Sequence, residues 1–191
     1  VLLFVTGSNR SLPYTLFLGL WIGHYAYRSL LFPIVNRTSP LKMPLIIMLL
    51  AFGFNILNSF FNGFALFHLE RLLTPGWLLD PRFLVGAALF LLGLFINIQS
   101  DRILRGLRKD KNGSYKIPRG GLFRFVSCPN YLGEIIEWSG WAIATWSLAG
   151  VSFALWTIAN LAPRALAYHA WYKKTFPAYP EKRKALIPFV L

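Results

Sequence analysis

The chain of 191 residues is 55% hydrophobic and 17% aromatic, only 14% of it is charged, and its formal net charge is +13. The aromatic content excludes a disordered chain, and the scarcity of charge excludes an ordinary soluble domain, in which about a quarter of the residues are charged. We therefore expect the protein to fold in a lipid bilayer.

Five apolar stretches have the length that a helix needs to cross a membrane. They cover about residues 13–35, 44–67, 83–99, 131–149 and 150–172. The last two meet without a charged residue between them, which predicts a tight turn around Gly150. The opening run VLLFVTG resembles the end of a further apolar segment, so we expect an N-terminal part to precede it. The sequence predicts an all-α fold, a multi-span transmembrane helical bundle that forms one integral membrane domain over residues 1–191.

Basic residues cluster in two segments, a loop over residues 100–129 with eight Lys and Arg and a C-terminal tail over residues 173–191 with five. Two predicted spans separate these segments, so both lie on one side, and the positive-inside rule places that side in the cytoplasm. We expect a multi-pass protein of the endoplasmic reticulum membrane in a eukaryote, or of the inner membrane in a bacterium. Because topology accounts for most of the basic excess, the expected partner is membrane lipid and not nucleic acid.

The cysteine and histidine content argues against a disulfide framework and a structural metal site. The single cysteine, Cys128, cannot form an intrachain disulfide, and His24, His68 and His169 have no spacing that suits zinc. We therefore expect no metal site. No base close in sequence activates Cys128, which predicts an inert thiol.

Polar side chains recur at helical spacing in or beside four of the apolar stretches, where ionisable groups are costly. The four stripes are Asn55, Asn58, Ser59 and Asn62; Asn97, Asp101, Arg105 and Arg108; Asn130, Glu134, Glu137 and Trp141; and Arg164, Tyr168 and Tyr172. Such stripes either bond helices to one another or line a ligand site, and for the asparagines both interpretations remain open. Glu134 and Glu137 need a polar ligand or a cation, such as Arg164 or an arginine of the basic loop.

Tyr25 lies within the first stretch, next to His24 and three residues before Arg28. Tyrosines in bilayers commonly serve as packing residues, but a phenol close to a cation can also donate a proton. Tyr25 is therefore a candidate acid. The arginines of the basic loop suit a phosphate-bearing cofactor, although anionic lipid headgroups suit them equally.

Three long motifs resemble the steroid 5α-reductase family, the 3-oxo-5α-steroid 4-dehydrogenases. They are NIQSDRILRGLRK (97–109), SYKIPRGGLFRFVSCPNYLGEIIEWSGWAIATWS (114–147) and KRKALIPFVL (182–191), and HYAYR (24–28) resembles the family more loosely. The resemblance implies a seven-helix membrane fold, of which this chain shows the last five helices. It also implies that NADPH is the cofactor and that hydride transfer to the β-carbon reduces the Δ4 double bond of a 3-oxo steroid or steroid-like enone.

The resemblance also implies which residues form the site. The residues implied in cofactor binding are Asn97, Asp101, Arg108, Tyr115, Lys116, Asn130, Glu134, Arg164, Tyr168 and Tyr172. Tyr25 is implied to contact the substrate carbonyl. Lys116 stands where the family commonly has Arg, which keeps the charge but loses the bidentate fork, and Tyr168 stands where His is common. The family's Gln-Glu pair, whose glutamate partners the tyrosine, has no match in this sequence.

Two other functions are compatible with a helical bundle that carries polar stripes. A membrane methyltransferase of the isoprenylcysteine type would bind S-adenosylmethionine and not NADPH. A non-enzymatic lipid-binding membrane protein would use the stripes for bonds between helices and would bind neither cofactor.

Overall fold

The computed structural model describes residues 2–7, 11–35, 44–69, 73–107 and 116–191. These residues form helices joined by loops, and no strand occurs within these ranges. Val126 pairs with Lys184 in an isolated parallel bridge. The predicted all-α fold is confirmed.

The helices follow the predicted apolar stretches closely. In the described part of the chain they are α1 (Leu2–Thr6), α2 (Leu12–Ala26), α3 (Phe32–Val35), α4 (Leu45–Phe64), α5 (Pro81–Leu107), α6 (Pro129–Thr145) and α7 (Leu148–Thr175). A π-helical turn over Tyr27–Leu31 joins α2 to α3, and another over Ala65–Leu69 extends α4. By length and composition, the helices over Leu45–Leu69 and Pro81–Leu107 can each cross a membrane.

Helix α5 runs on into the basic segment, as the helical spacing of Asn97, Asp101 and Arg105 indicates, whereas the predicted turn around Gly150 is misplaced. Helix α5 continues to Leu107, so the first eight residues of the predicted loop over 100–129 are helical, and Ser100 and Asp101 are buried against neighbouring helices. The turn between α6 and α7 lies at Trp146, which adopts the left-handed conformation with φ 50° and ψ 38°. Gly150 belongs to the first turn of α7, where its N–H donates to the Ser147 hydroxyl over 3.1 Å and caps the helix.

Helices α5 and α6 are packed with their backbones in contact, because glycines face each other along the crossing. A Cβ atom on Gly93 would lie 2.3 Å from the backbone nitrogen of Glu137, and one on Gly86 would lie 2.4 Å from that of Ala144. Small residues permit such close approach between membrane helices. The contact brings the polar stripe of α5 against that of α6.

An aromatic cluster holds α2 against α6 and α7. The ring centroid of Trp21 lies 5.0 Å from that of Trp141, and Trp138 packs 4.3 Å from Phe153. Large aromatic side chains contribute much buried area and fix the mutual orientation of helices. This packing directs the polar residues at the end of α2 towards the acids of α6.

The C-terminal tail folds back against the loop that precedes α6. The backbone N–H of Lys184 donates to the Phe125 carbonyl over 2.8 Å, and that of Ser127 donates to the Lys184 carbonyl over 2.8 Å. The Ser127 hydroxyl also lies 2.6 Å from both His169 Nδ1 and the Tyr179 hydroxyl. The predicted basic tail, residues 173–191, therefore begins inside α7 and continues as an ordered segment.

Candidate active site

Arg28 joins three helical segments through two ion pairs. From the π-helical turn after α2, its Nη1 atom donates to Asp101 Oδ2 over 3.2 Å and its Nη2 atom donates to Glu134 Oε2 over 2.9 Å. The sequence-based hypothesis that Arg164 or a basic-loop arginine pairs with Glu134 is thus replaced by Arg28. The reason is tertiary, because the aromatic packing of α2 places Arg28 between α5 and α6.

A second polar contact lies deeper in the bundle. His24 Nδ1 lies 2.6 Å from Glu137 Oε1, and the exposed fractions of the two residues are 3% and 0%. The other carboxylate oxygen of Glu137, Oε2, is buried and has no hydrogen-bond partner within the described ranges. A buried carboxylate is costly unless it is paired, and the partner of Glu137 is His24, not Arg164 or the basic-loop arginine that the sequence analysis offered.

The Tyr25 hydroxyl receives a hydrogen bond from α4. The Asn58 amide donates to the Tyr25 oxygen over 3.4 Å, and the Asn62 amide donates to Asn58 Oδ1 over 2.9 Å. The Trp141 indole donates to Asn62 Oδ1 over 2.9 Å. Asn58 and Asn62 therefore bond helices to one another, and Asn62 also lines the larger cavity beside Asn55. This series of hydrogen bonds from Trp141 through Asn62 and Asn58 holds the Tyr25 oxygen in place.

His24, Tyr25 and Arg28, one residue from each of these three hydrogen-bonded groups, line a polar cavity of about 320 Å³. Its polar lining includes His24, Tyr25, Arg28, Glu134 and Arg164, and its apolar wall includes Trp138, Phe153 and Trp156. A larger cavity of about 610 Å³, lined mostly by apolar side chains of α1, α2 and α4, lies beside it. Asn55 lines both cavities. Such volumes are typical of pockets for small molecules.

Asn97 and Asn130, two further predicted cofactor residues, meet at the start of α6. Asn97 is buried, its amide donates to the Asn130 carbonyl over 3.0 Å, and its Oδ1 atom has no partner in the described part of the chain. Tyr172 stacks on Tyr179 of the tail with 5.3 Å between centroids. Three predicted cofactor residues are exposed, Lys116, Arg164 and Tyr168, and two lie outside the described residues, Arg108 and Tyr115.

Sequence reasoning missed the role of Arg28 and the pairing of His24 with Glu137. A signal for both was present, because His24 and Arg28 are four residues apart and Glu134 and Glu137 are three apart. Residues at these spacings share a helix face, so two facing helices can form two contacts at once. Which helices face each other was not readable from the spacing.

We expect Cys128 to resist alkylation in the folded protein. It lies in the loop before α6 with 5% of its surface exposed, and burial raises the pKa of its thiol to about 12. Since only the thiolate reacts, and an ordinary thiol has a pKa of about 8.5, labelling at pH 8 should be slower than in the denatured chain by more than about 100-fold. Mass spectrometry after exposure to iodoacetamide measures this ratio. Equal rates in the two states would contradict the burial.

Comparison with known proteins identifies the family. A family model described as 3-oxo-5-alpha-steroid 4-dehydrogenase matches residues 41–191. The 3-oxo-5-alpha-steroid 4-dehydrogenase 1 of Bos taurus is 46% identical over 179 residues, which cover 94% of this chain and 69% of the relative. The steroid 5-alpha-reductase DET2 of Gossypium hirsutum is 43% identical over 193 residues, covering 98% and 75%. The 3-oxo-5-alpha-steroid 4-dehydrogenase 2 of Homo sapiens is 46% identical over 178 residues, covering 93% and 69%. With matches over most of its length, the chain belongs to the 3-oxo-5-alpha-steroid 4-dehydrogenase family.

Proposed function

We propose that this protein reduces the Δ4 double bond of a 3-oxo steroid, or of a steroid-like enone, with NADPH. Besides its family membership, one observation carries the proposal. The Tyr25 phenol lines a polar cavity that also contains Arg28, Glu134 and Arg164, and a larger apolar cavity lies beside it. An enone requires a hydrogen-bond donor at its carbonyl oxygen together with an apolar wall for its carbon skeleton.

The polar groups present suit a dinucleotide. Glu134 and the unpartnered Oδ1 of Asn97 are acceptors for amide or hydroxyl donors of the cofactor, and Arg164 at the cavity supplies positive charge for a phosphate. We assign the stacked ring of Tyr172, together with Asp101 and Asn130, to the same cofactor. Bound NADPH supplies a hydride for the β-carbon of the enone.

Tyr25 acts on the carbonyl oxygen of the substrate. Because the Asn58 amide donates to the Tyr25 oxygen, the phenolic proton remains available to a ligand in the cavity. It hydrogen-bonds the substrate oxygen and stabilises the negative charge that develops there as the β-carbon accepts hydride. Arg28 is engaged with both Asp101 and Glu134 and keeps these side chains oriented.

The apolar cavity suits the carbon skeleton of the substrate. Phe17, Trp21, Phe52 and Leu66 supply a hydrophobic wall, and its volume of about 610 Å³ suits a tetracyclic hydrocarbon. Asn55 marks the junction with the polar cavity. We place the enone end of the substrate near this junction, with Tyr25 on its polar side.

The test of this function uses the purified protein in lipid nanodiscs. With NADPH and a Δ4-3-oxo steroid, we expect NADPH oxidation to match the formation of the saturated 3-ketone one to one. A parallel sample with S-adenosylmethionine and an isoprenylcysteine substrate should show no methyl transfer. Methyl transfer without NADPH oxidation would overturn the proposal.

We further propose a multi-pass topology in the membrane, with α2–α3 and α4 to α7 forming spans of a seven-helix fold. The basic loop and the C-terminal tail then lie on the cytoplasmic side, in the endoplasmic reticulum membrane of a eukaryote or the inner membrane of a bacterium. Membrane lipid covers the exposed apolar side chains of α4, among them Leu45, Ile46 and Leu50.

Cysteine labelling in sealed vesicles checks this topology. We expect Arg119→Cys and Lys182→Cys to react with an impermeant maleimide from the same face, because an even number of proposed spans separates them. Leu79→Cys, in the exposed segment before α5, should react from the opposite face and serves as the control. Labelling of the two basic-segment cysteines from different faces would show that the span assignment is wrong.

A further inference from the structure

The proposed reduction requires a proton for the α-carbon that Tyr25 does not supply. Tyr25 donates to the carbonyl oxygen, which is two bonds away from the α-carbon. After hydride has reached the β-carbon, the remaining enolate becomes a ketone only when a C–H bond forms at the α-carbon. A separate acid must therefore lie at the cavity.

The other polar groups of the cavity are poor acids for this step. Arg28 and Arg164 keep their protons, because a guanidinium does not release one in a protein. Glu134 accepts a hydrogen bond from Arg28 and is paired as a carboxylate. Among the described residues that line the polar cavity, His24 is the one whose ring offers two nitrogens, so that one can be bonded to a partner while the other gives a proton to a ligand.

Contacts with three neighbouring side chains also fix the position of the His24 ring. Its Nδ1 atom is bonded to Glu137 over 2.6 Å, which leaves Nε2 as the ring nitrogen for a ligand. Its ring lies 4.6 Å from the Trp138 ring and 5.1 Å from the Tyr25 ring, between centroids. Glu137 is wholly buried and has its one described hydrogen bond with His24, so the pair retains a proton that offsets the carboxylate charge.

We propose that the buried His24–Glu137 pair is the acid that protonates the α-carbon, an inference that rests on the proposed reduction. The Nε2–H bond breaks, and a C–H bond forms from the electron pair of the enolate. The carbonyl group is restored, and His24 becomes neutral while it still donates to Glu137 through Nδ1. Water that enters the cavity returns one proton to His24, which completes the uptake of one hydride and one proton per substrate.

The first test measures the protonation of the His24 ring directly and does not depend on turnover. With ¹⁵N-labelled histidine, nitrogen NMR of the unmodified protein at pH 7 should show one histidine protonated on both ring nitrogens, and His24→Gln should remove this signal. Glu137→Gln should convert the signal to that of a neutral ring, while Glu181→Gln, at an exposed tail residue, leaves it unchanged. A neutral His24 in the unmodified protein would overturn the proposal, whatever the variants do.

The second test separates proton delivery from structural support. We expect His24→Gln to lower kcat by at least about 100-fold, which is typical of a lost general acid, and to change NADPH affinity by less than about twofold. The solvent deuterium isotope effect on kcat should increase, because protonation becomes rate-limiting. His68→Gln, a histidine that lines neither cavity, is the matched control and should match the unmodified protein.

The outcomes distinguish this inference from the proposed function. An unmodified protein that reduces no Δ4-3-oxo steroid refutes both. Reduction by the unmodified protein, with His24→Gln retaining its kcat and its solvent isotope effect, refutes the His24–Glu137 assignment alone. A fall in kcat together with an equal loss of NADPH affinity and an unchanged isotope effect assigns the pair to structure, which also refutes it.

Discussion

Replacing Tyr25 by phenylalanine should lower steroid turnover by about 100- to 1000-fold, the usual cost of removing one donor to a developing oxyanion. The substitution removes the oxygen that lies 3.4 Å from the Asn58 amide and changes the shape of the side chain very little. The aromatic contacts with Trp21 and His24 remain possible. NADPH affinity and thermal stability should therefore stay close to those of the unmodified protein. Steady-state turnover, measured beside cofactor binding, checks the prediction.

The matched control is Tyr27→Phe, two residues further along the same helical segment. The Tyr27 hydroxyl is buried without a hydrogen-bond partner among the described residues, and Tyr27 lines neither cavity. Loss of the Tyr27 hydroxyl should leave turnover unchanged. If Tyr25→Phe retained full turnover, Tyr25 would be a packing residue and another group would have to polarise the carbonyl.

Replacing Gly93 by alanine should destabilise the protein by about 3 kcal/mol, since the added methyl group meets backbone that cannot rotate away. The new Cβ atom would lie 2.3 Å from the Glu137 nitrogen and 2.5 Å from the Gly133 oxygen. Helices α5 and α6 must separate to relieve this contact. For a chain of this length, the midpoint of thermal unfolding should fall by about 6 to 12 °C. Circular dichroism during heating in a mild detergent measures the shift.

Gly106→Ala supplies the control in the same helix. Apart from the backbone of its own helix, no atom of the described residues lies within 4 Å of a Cβ placed on Gly106, so alanine should stabilise α5 slightly through its higher helix propensity. An unchanged midpoint for Gly93→Ala would show that the two backbones are further apart than the structure places them. The displacement expected for Gly93→Ala also moves Glu134 and Glu137, so NADPH affinity should fall in the same variant.

The positions of the helices were readable from the sequence because length and apolarity are local properties. The stretch predicted over 13–35 is a continuous helical segment over 12–35, and the stretch over 44–67 corresponds to α4 with its π-helical extension. The turn before α7 was misplaced, since Gly150 is a common turn residue. Trp146 adopts the left-handed conformation instead, and Gly150 is needed for close packing against Ala142.

The composition and the apolar stretches of the sequence determined the all-α class and the helices, and the polar stripes marked residues that only the resemblance to the family assigned to a site. Spacing along one helix shows which side chains share a face, because the helical repeat is fixed by local geometry. Only the tertiary structure decided the partners: Arg28 with Asp101 and Glu134, and His24 with Glu137. These pairs join residues more than 70 positions apart, and they depend on aromatic and glycine packing between helices, which no local pattern encodes.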